Sequence, residues 1–169
     1  MAVLPIRFYP DPVLKRKAEP VVRFDAALQR LIGEMFETMY AAPGIGLAGP
    51  QVGEALRLFV YDVGSAEGRP APGVVLNPRV VSRTGEVVEE EGCLSVAAYR
   101  DLVWRSARMV VAGQDRHGKA IELEGEGLFA RMLQHEIDHL DGLVFIDRLS
   151  PLKRSLYLRK QKKQARAER

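Results

Sequence analysis

The sequence predicts an α+β domain in which short mixed or antiparallel β-sheets pack around a central helix, with N-terminal helices and a basic C-terminal helix. Two long segments carry apolar residues at helical spacing, and several short segments are rich in β-branched residues. These segments do not alternate as a regular βαβ series. The length of 169 residues matches one domain with its own core. We expect residues 1–150 to form that domain and residues 151–169 a basic helical extension.

Local signals place the helices. Asp11 and Pro12 are favoured at a helix start, and Asp25 caps a longer apolar helix that Pro43 ends. Gly142 is placed to end an internal helix. The predicted helices cover residues 11–18, the segment between Asp25 and Pro43, residues 127–140 and residues 152–166.

Four short segments bounded by Gly, Pro or Asn predict strands. They are residues 56–63, 74–81, 109–114 and 120–124, and residues 115–118 between the last two predict a hairpin turn.

Composition excludes several classes of protein. The apolar runs are far shorter than the roughly 18 residues of a membrane span, and the first 17 residues lack the apolar stretch of a secretory leader. The single cysteine, Cys93, fits a reducing compartment, so we expect a cytoplasmic protein without a membrane partner. Eight Lys or Arg lie in the last 19 residues beside one acid, Glu168. A polyanion partner would therefore meet the C-terminus, and nothing indicates DNA binding.

Residues 135–139 form the string His-Glu-Ile-Asp-His. Positions four apart share a helix face, so His135 and His139 can reach one metal ion, with Glu136 beside it. Two surface histidines are the alternative, which the apolar, internal character of this helix disfavours. The remaining histidine, His117, lies in a predicted turn and should be solvated.

A catalytic zinc-type ion normally takes three protein ligands and keeps one open position. No histidine follows His139, and the nearest following acids, Asp141 and Asp147, are poorly spaced. Cys93 is the better candidate, because a thiolate is a strong ligand and a glycine precedes it. A lone cysteine is more often buried filler, but the neighbouring histidine pair reverses that preference. Asp138 and Asp141 could orient imidazole N–H groups or simply cap the helix surface.

Residues 44–49 match the pattern GxGxxG. A dinucleotide fingerprint should follow a strand and open a helix, whereas this segment follows a helix and runs into Pro50. We therefore interpret it as a glycine-rich wall that approaches an extended ligand, with Gln51 offering an amide donor.

Three stretches, Gly44–Gly53, Glu91–Ser95 and Gln134–His139, resemble the peptide deformylase family in identity and order. The resemblance runs from Phe8-Tyr9-Pro10-Asp11 to Leu149-Ser150-Pro151-Leu152. It implies an enzyme that removes the formyl group from the N-terminal formylmethionine of newly synthesised polypeptides and releases formate.

The resemblance also implies residue roles. The expected metal ligands are Cys93, His135 and His139. The expected general acid/base is Glu136, and the expected oxyanion donors are Gln51 and, through its backbone N–H, Leu94.

Substrate contacts follow from the same resemblance, because an enzyme for many nascent chains must bind their main chain. The expected contacts are Ile45 and Gly46 on one side, Glu91 and Gly92 on the other, and an apolar pocket lined by Leu128 and Met132. Arg131 departs from this pattern, since it shares the pocket face of the helix with His135. Its stem can pack while its head reaches water.

One divalent ion is expected as cofactor. Two imidazoles and a thiolate suit Zn²⁺, Fe²⁺, Co²⁺ and Ni²⁺ comparably, and the resemblance favours Fe²⁺. The expected partners are formylmethionyl nascent polypeptides and, through the basic C-terminal helix, ribosomal RNA. Alternatively, that helix only aids solubility.

Three other functions remain open from the residues alone. An endopeptidase of the HExxH type would share the metal and Glu136. A non-enzymatic module would hold a purely structural metal, although such sites usually have four protein ligands. A cysteine hydrolase would use Cys93 and a histidine, and it would survive chelation.

Overall fold

The computed structural model describes residues 2–64 and 68–167. Its helices are α1 (Ala26–Ala41), α2 (Gly127–Leu140) and α3 (Pro151–Ala167), with short 3₁₀ turns at Pro12–Lys15, Gly49–Val52 and Phe145–Arg148. The strands are β1 (Gly46–Ala48), β2 (Leu58–Tyr61), β3 (Gly73–Thr84), β4 (Val87–Cys93), β5 (Val96–Arg105), β6 (Arg108–Gln114) and β7 (Ala120–Glu126). The predicted α+β class is confirmed.

Five strands form one antiparallel sheet in the order β1-β2-β3-β6-β7, and β4 and β5 form a separate hairpin. Strand β3 shifts register twice against β6, which bends this long strand. Helix α2 packs against β1, β6 and β7. None of the helices within the described residues is long and apolar enough to cross a membrane.

The five-stranded sheet carries an apolar cluster on each of its faces. Phe59 contributes to the cluster that contains Leu133 of α2, whereas its strand neighbours Leu58 and Val60 belong to the cluster that contains Ile32 of α1. This alternation follows from the two-residue period of a strand. A third cluster joins the β4–β5 hairpin to the 3₁₀ turn at residues 145–148 and to α3. Helix α2 is therefore enclosed by the molecule.

The three long predicted helices are present. Asp25 accepts a hydrogen bond from the Leu28 N–H at 3.0 Å, and Gly142 follows α2 with a φ of 80°, which an L side chain rarely adopts. The helix predicted over residues 11–18 is wrong in length, because only Pro12–Lys15 is helical. The chain then extends, and Glu19 bridges to Leu56.

All four predicted strands and the hairpin turn at residues 115–118 are present, with shifted strand ends. Three further strands, β1, β4 and β5, were not predicted. Strand β1 lies in a glycine-rich segment, and β4 carries three consecutive glutamates that obscure the alternation of polar and apolar residues.

Leu133 is fully buried between α2 and the sheet. Leu133→Ala should lower the free energy of unfolding by about 2–5 kcal/mol, since it removes buried methyl groups and leaves a cavity. Urea denaturation of the metal-free protein measures this. Leu152→Ala on the exposed side of α3 is the control and should change stability by less than about 0.5 kcal/mol; equal losses in the two variants would contradict the assigned core.

Candidate metal centre

The β4–β5 hairpin and α2 bring the three predicted ligands together. Cys93 ends β4 at a register shift that follows Gly92, and a bulge of this kind re-aims the side chain. The Cys93 Sγ lies 3.3 Å from His139 Nε2, which lies 3.2 Å from His135 Nε2. The three ligand atoms all lie within 4.8 Å of one another.

These separations fit a shared ion. Ligands bonded at about 2.0–2.3 Å to a tetrahedral ion lie about 3.3–3.6 Å apart, close to the observed spacings. Two ring nitrogens that face each other at 3.2 Å also need a proton or a cation between them. The three donors thus form an open three-ligand set suited to one divalent ion.

Gln51 is fixed beside the cysteine. Its Oε1 accepts a hydrogen bond from the Ala48 N–H at 2.9 Å, and its Nε2 donates to the Ser95 Oγ at 3.2 Å. The same Nε2 lies 3.6 Å from the Cys93 Sγ, and the Ser95 N–H donates to that sulfur at 3.4 Å. Two hydrogen-bond donors therefore face the sulfur.

Glu91 orients one of the histidine ligands. Its Oε2 lies 2.7 Å from His135 Nδ1, which leaves Nε2 to face the ion site. Arg105 donates to both carboxylate oxygens, at 3.0 and 2.6 Å. Burial alone would raise the pKa of Glu91, but the hydrogen bonds from His135 and Arg105 outweigh it and lower the pKa from 4.5 to about 2. The carboxyl group is therefore ionised at neutral pH.

The charged network extends away from the ion site. Asp138 accepts a hydrogen bond from Arg105 at 2.6 Å and another from Arg148 at 2.7 Å, so it fixes Arg105 from behind. Asp141 pairs with Arg57 at 3.1 Å. The prediction that Asp138 or Asp141 orients a ligand imidazole is thus wrong, and Glu91 does so instead. The position of Glu91, two residues before Cys93 in the same motif, was the sequence signal that could have indicated this role.

Glu136 is buried beside the ligands, and within the described residues its Oε2 has no hydrogen-bond partner. Burial raises its pKa from 4.5 to about 7. A Cβ atom added to Gly46 would lie 2.7 Å from Glu136 Oε1. The absence of a side chain at Gly46 therefore leaves room for this carboxyl group. A pKa of about 7 suits proton transfer near neutral pH.

A cavity of about 330 Å³ opens onto Cys93 and His135. The two predicted oxyanion donors, Gln51 and Leu94, line it, and so does Arg131. All six predicted substrate residues also line it: Ile45, Gly46, Glu91, Gly92, Leu128 and Met132. Gly44 of the predicted glycine-rich wall also lines it, as do Pro43, Glu90 and Arg100, which were not predicted. His117 is exposed in the turn between β6 and β7.

Comparison with known proteins identifies the family. The model of the polypeptide deformylase family matches residues 3–155. The chain is 51% identical to the peptide deformylase of Thermodesulfovibrio yellowstonii over 96% of this chain and 98% of that protein. It is 48% identical to the peptide deformylase of Acidobacterium capsulatum over 99% and 98% of the two chains. The chain belongs to the polypeptide deformylase family.

Solved structures of deformylases share the fold. The crystal structure of a peptide deformylase from Legionella pneumophila superposes with a TM-score of 0.90 at 48% identity and covers 98% of this chain and 97% of that chain. A peptide deformylase from Ehrlichia chaffeensis in complex with actinonin has a TM-score of 0.90 at 40% identity, covering 97% and 98%. The predicted family and enzyme class, a metal-dependent hydrolase that deformylates polypeptides, are confirmed; the endopeptidase alternative has no support.

The gap between Gly46 and Glu136 can be closed by one methyl group. Gly46→Ala should lower kcat/KM for formate release at least about 100-fold, because a displacement of about 1 Å at a reacting group has that effect. Metal content should not change. Gly44→Ala is a comparison within the same cavity wall, and its loss of activity should be smaller, because its added Cβ would come closest to the movable end of the Leu94 side chain, at 2.8 Å. A fully active Gly46→Ala variant would contradict the position assigned to Glu136.

Proposed function

We propose that this deformylase binds one divalent ion through Cys93, His135 and His139 and hydrolyses the formamide bond of formylmethionyl polypeptides. The observation that carries the proposal is the convergence of one sulfur and two imidazole nitrogens within 4.8 Å at the wall of the substrate cavity. A structural metal would normally take four protein ligands, and the donor set has three.

Different groups of the site contribute to different steps of the reaction. When bound, the ion lowers the pKa of a coordinated water so that hydroxide is available near neutral pH. Glu136 accepts the proton of the attacking water and returns it to the departing amine, a task that suits a pKa of about 7. The Gln51 Nε2 and the Leu94 backbone N–H donate to the developing oxyanion, and one such donor can be worth about 3–4 kcal/mol. Formate and a free α-amine result.

Ile45 and Gly46 on one wall, and Glu91 and Gly92 on the other, would bind the start of the polypeptide through its main chain. Leu128 and Met132 supply apolar surface for the methionine side chain. Main-chain recognition suits an enzyme whose substrates share only their first residue.

Fe²⁺ is the ion that we favour, and Zn²⁺, Co²⁺ and Ni²⁺ suit the same donors. A ferrous thiolate site would be sensitive to oxygen, so the native ion should be assayed anaerobically. We place the enzyme in the cytoplasm, because nascent chains are made there and the thiolate needs a reducing compartment.

We also propose that residues 1–150 form the catalytic domain and that the basic extension docks on ribosomal RNA. Tyr157 anchors α3, with its ring 4.7 Å from that of Tyr99 and 6.1 Å from that of Tyr9. Lys153 pairs with Asp101 on β5. These contacts hold the helix against the domain. Besides Lys153 and Arg154, which form ion pairs, five further cationic side chains are exposed: Arg159, Lys160, Lys162, Lys163 and Arg166.

Glu136→Gln should retain the metal and lower kcat about 100- to 10,000-fold, because the amide cannot accept a proton. Formate release from formyl-Met-Ala-Ser, with metal analysis of the same anaerobic sample, measures both quantities. Removal of the metal by a chelator should abolish the activity of the wild-type protein, and Fe²⁺ should restore it. Full activity after chelation would instead indicate a cysteine hydrolase.

Replacing the five exposed cations of α3 with Gln should weaken ribosome binding and flatten its salt dependence, by about 0.7–0.9 per lost phosphate contact on a log–log plot. Hydrolysis of formyl-Met-Ala-Ser should not change. The matched control replaces five exposed cations elsewhere with Gln: Arg16, Lys17, Arg23, Arg30 and Arg69. If both variants bind ribosomes alike, α3 serves only solubility.

A further inference from the structure

The outer face of the β4–β5 hairpin carries an exposed apolar strip made of Val88, Leu102 and Trp104. Their exposed fractions are 37%, 54% and 67%, whereas Val103 and Arg105, which point to the opposite face of β5, are buried. Val88 and Trp104 are directly paired across the two strands. A cluster of large apolar side chains in water marks a binding surface more often than an isolated one does.

The strip is continuous with the substrate cavity. Along the same face of the hairpin, the cross-strand pairs run from Gly92–Arg100 through Glu90–Leu102 to Val88–Trp104. Gly92, Arg100 and Glu90 line the cavity, and Arg100 lies over Gly92 and pairs with Glu90 at 2.7 Å. The apolar strip thus begins where the cavity ends.

A polypeptide whose formyl group lies at the metal site would extend toward this strip. The formyl group must lie at the ligands, and Cys93 is the last residue of β4. A polypeptide that extends along β4 from that point runs antiparallel to it, toward Val88. Val88 lies four residues from Gly92, a distance of about 13 Å in an extended chain. If the first residue of the substrate lies beside Gly92, the fifth residue lies beside Val88 and reaches the strip.

We propose that Val88, Leu102 and Trp104 form a secondary binding site for an apolar side chain near position five of the formylated polypeptide. The proposal rests on the deformylase function proposed above. Three side chains are too few for a stable dimer, which buries about 1,200 Å² or more. On this face Glu90 pairs with Arg100 at 2.7 Å, so this pair adds no net positive charge that would attract a polyanion.

The test compares three substrates: formyl-Met-Ala-Ser, a nine-residue formyl peptide with Leu at position five, and the same peptide with Ser at position five. For the wild-type protein, the Leu peptide should have a kcat/KM about five- to tenfold above the Ser peptide, mainly through KM. Trp104→Ser and Leu102→Ser should remove that preference and leave formyl-Met-Ala-Ser unaffected. Val22→Ser, which removes an equally exposed apolar side chain elsewhere, should keep the preference.

Each alternative outcome is distinct. Equal rates for the two long peptides in the wild-type protein would overturn the proposal while leaving the deformylase function intact, because the tripeptide tests that function alone. The proposal also fails if the Trp104 variant slows all three substrates equally, which would indicate a structural role. Loss of dimers or of ribosome binding in that variant, without a change in peptide preference, would assign the strip to a second copy or to the ribosome.

Discussion

The site depends on the approach of the Cys93 sulfur to two imidazoles on a helix that the rest of the molecule surrounds. Cys93 comes from a hairpin, and His135 and His139 come from α2, so neither element can move without separating the ligand atoms. The five-stranded sheet holds α2 through Leu133 and the residues around it. Close packing of the core therefore determines the spacing of the donors.

Buried charge maintains this spacing at an energetic cost. Arg105, Glu91 and Asp138 form ion pairs whose side chains are only 3%, 12% and 10% exposed. Replacing such a network by apolar groups is often neutral or stabilising, whereas removing one partner costs about 3–5 kcal/mol. Its contribution here is orientation, since it fixes Glu91 and through it the ring of His135. The Glu136 Oε2 has no hydrogen-bond partner within the described part of the chain, which is a similar cost and leaves this oxygen free beside the two histidines.

The sequence predicted the parts of the site whose chemistry is local. His135, Glu136 and His139 follow from the helical period and from the ligands that a divalent ion prefers. Cys93 followed because the other candidates for a third ligand were poorly spaced. Helices α1, α2 and α3 were predicted because their apolar periods and end signals lie within a few residues.

The features that were not predicted depend on contacts between residues that are distant in the sequence. The orienting role of Glu91 depends on the register of β4 with β5, and the glutamates of β4 hide its strand pattern. A buried Arg105 contradicts the usual exposure of arginine, so only the fold reveals its partners Glu91 and Asp138. Gly46 appeared as part of a glycine-rich wall, but its closeness to Glu136 arises from packing between β1 and α2.

X-ray absorption spectroscopy of the zinc-loaded protein tests the shared ion most directly. The account predicts one sulfur at about 2.3 Å and two imidazole nitrogens at about 2.0–2.1 Å, with a lighter atom completing the coordination. Cys93→Ser should remove the sulfur contribution. A wild-type spectrum with only nitrogen and oxygen neighbours would contradict the assignment of Cys93 as a ligand, and with it the catalytic centre described here.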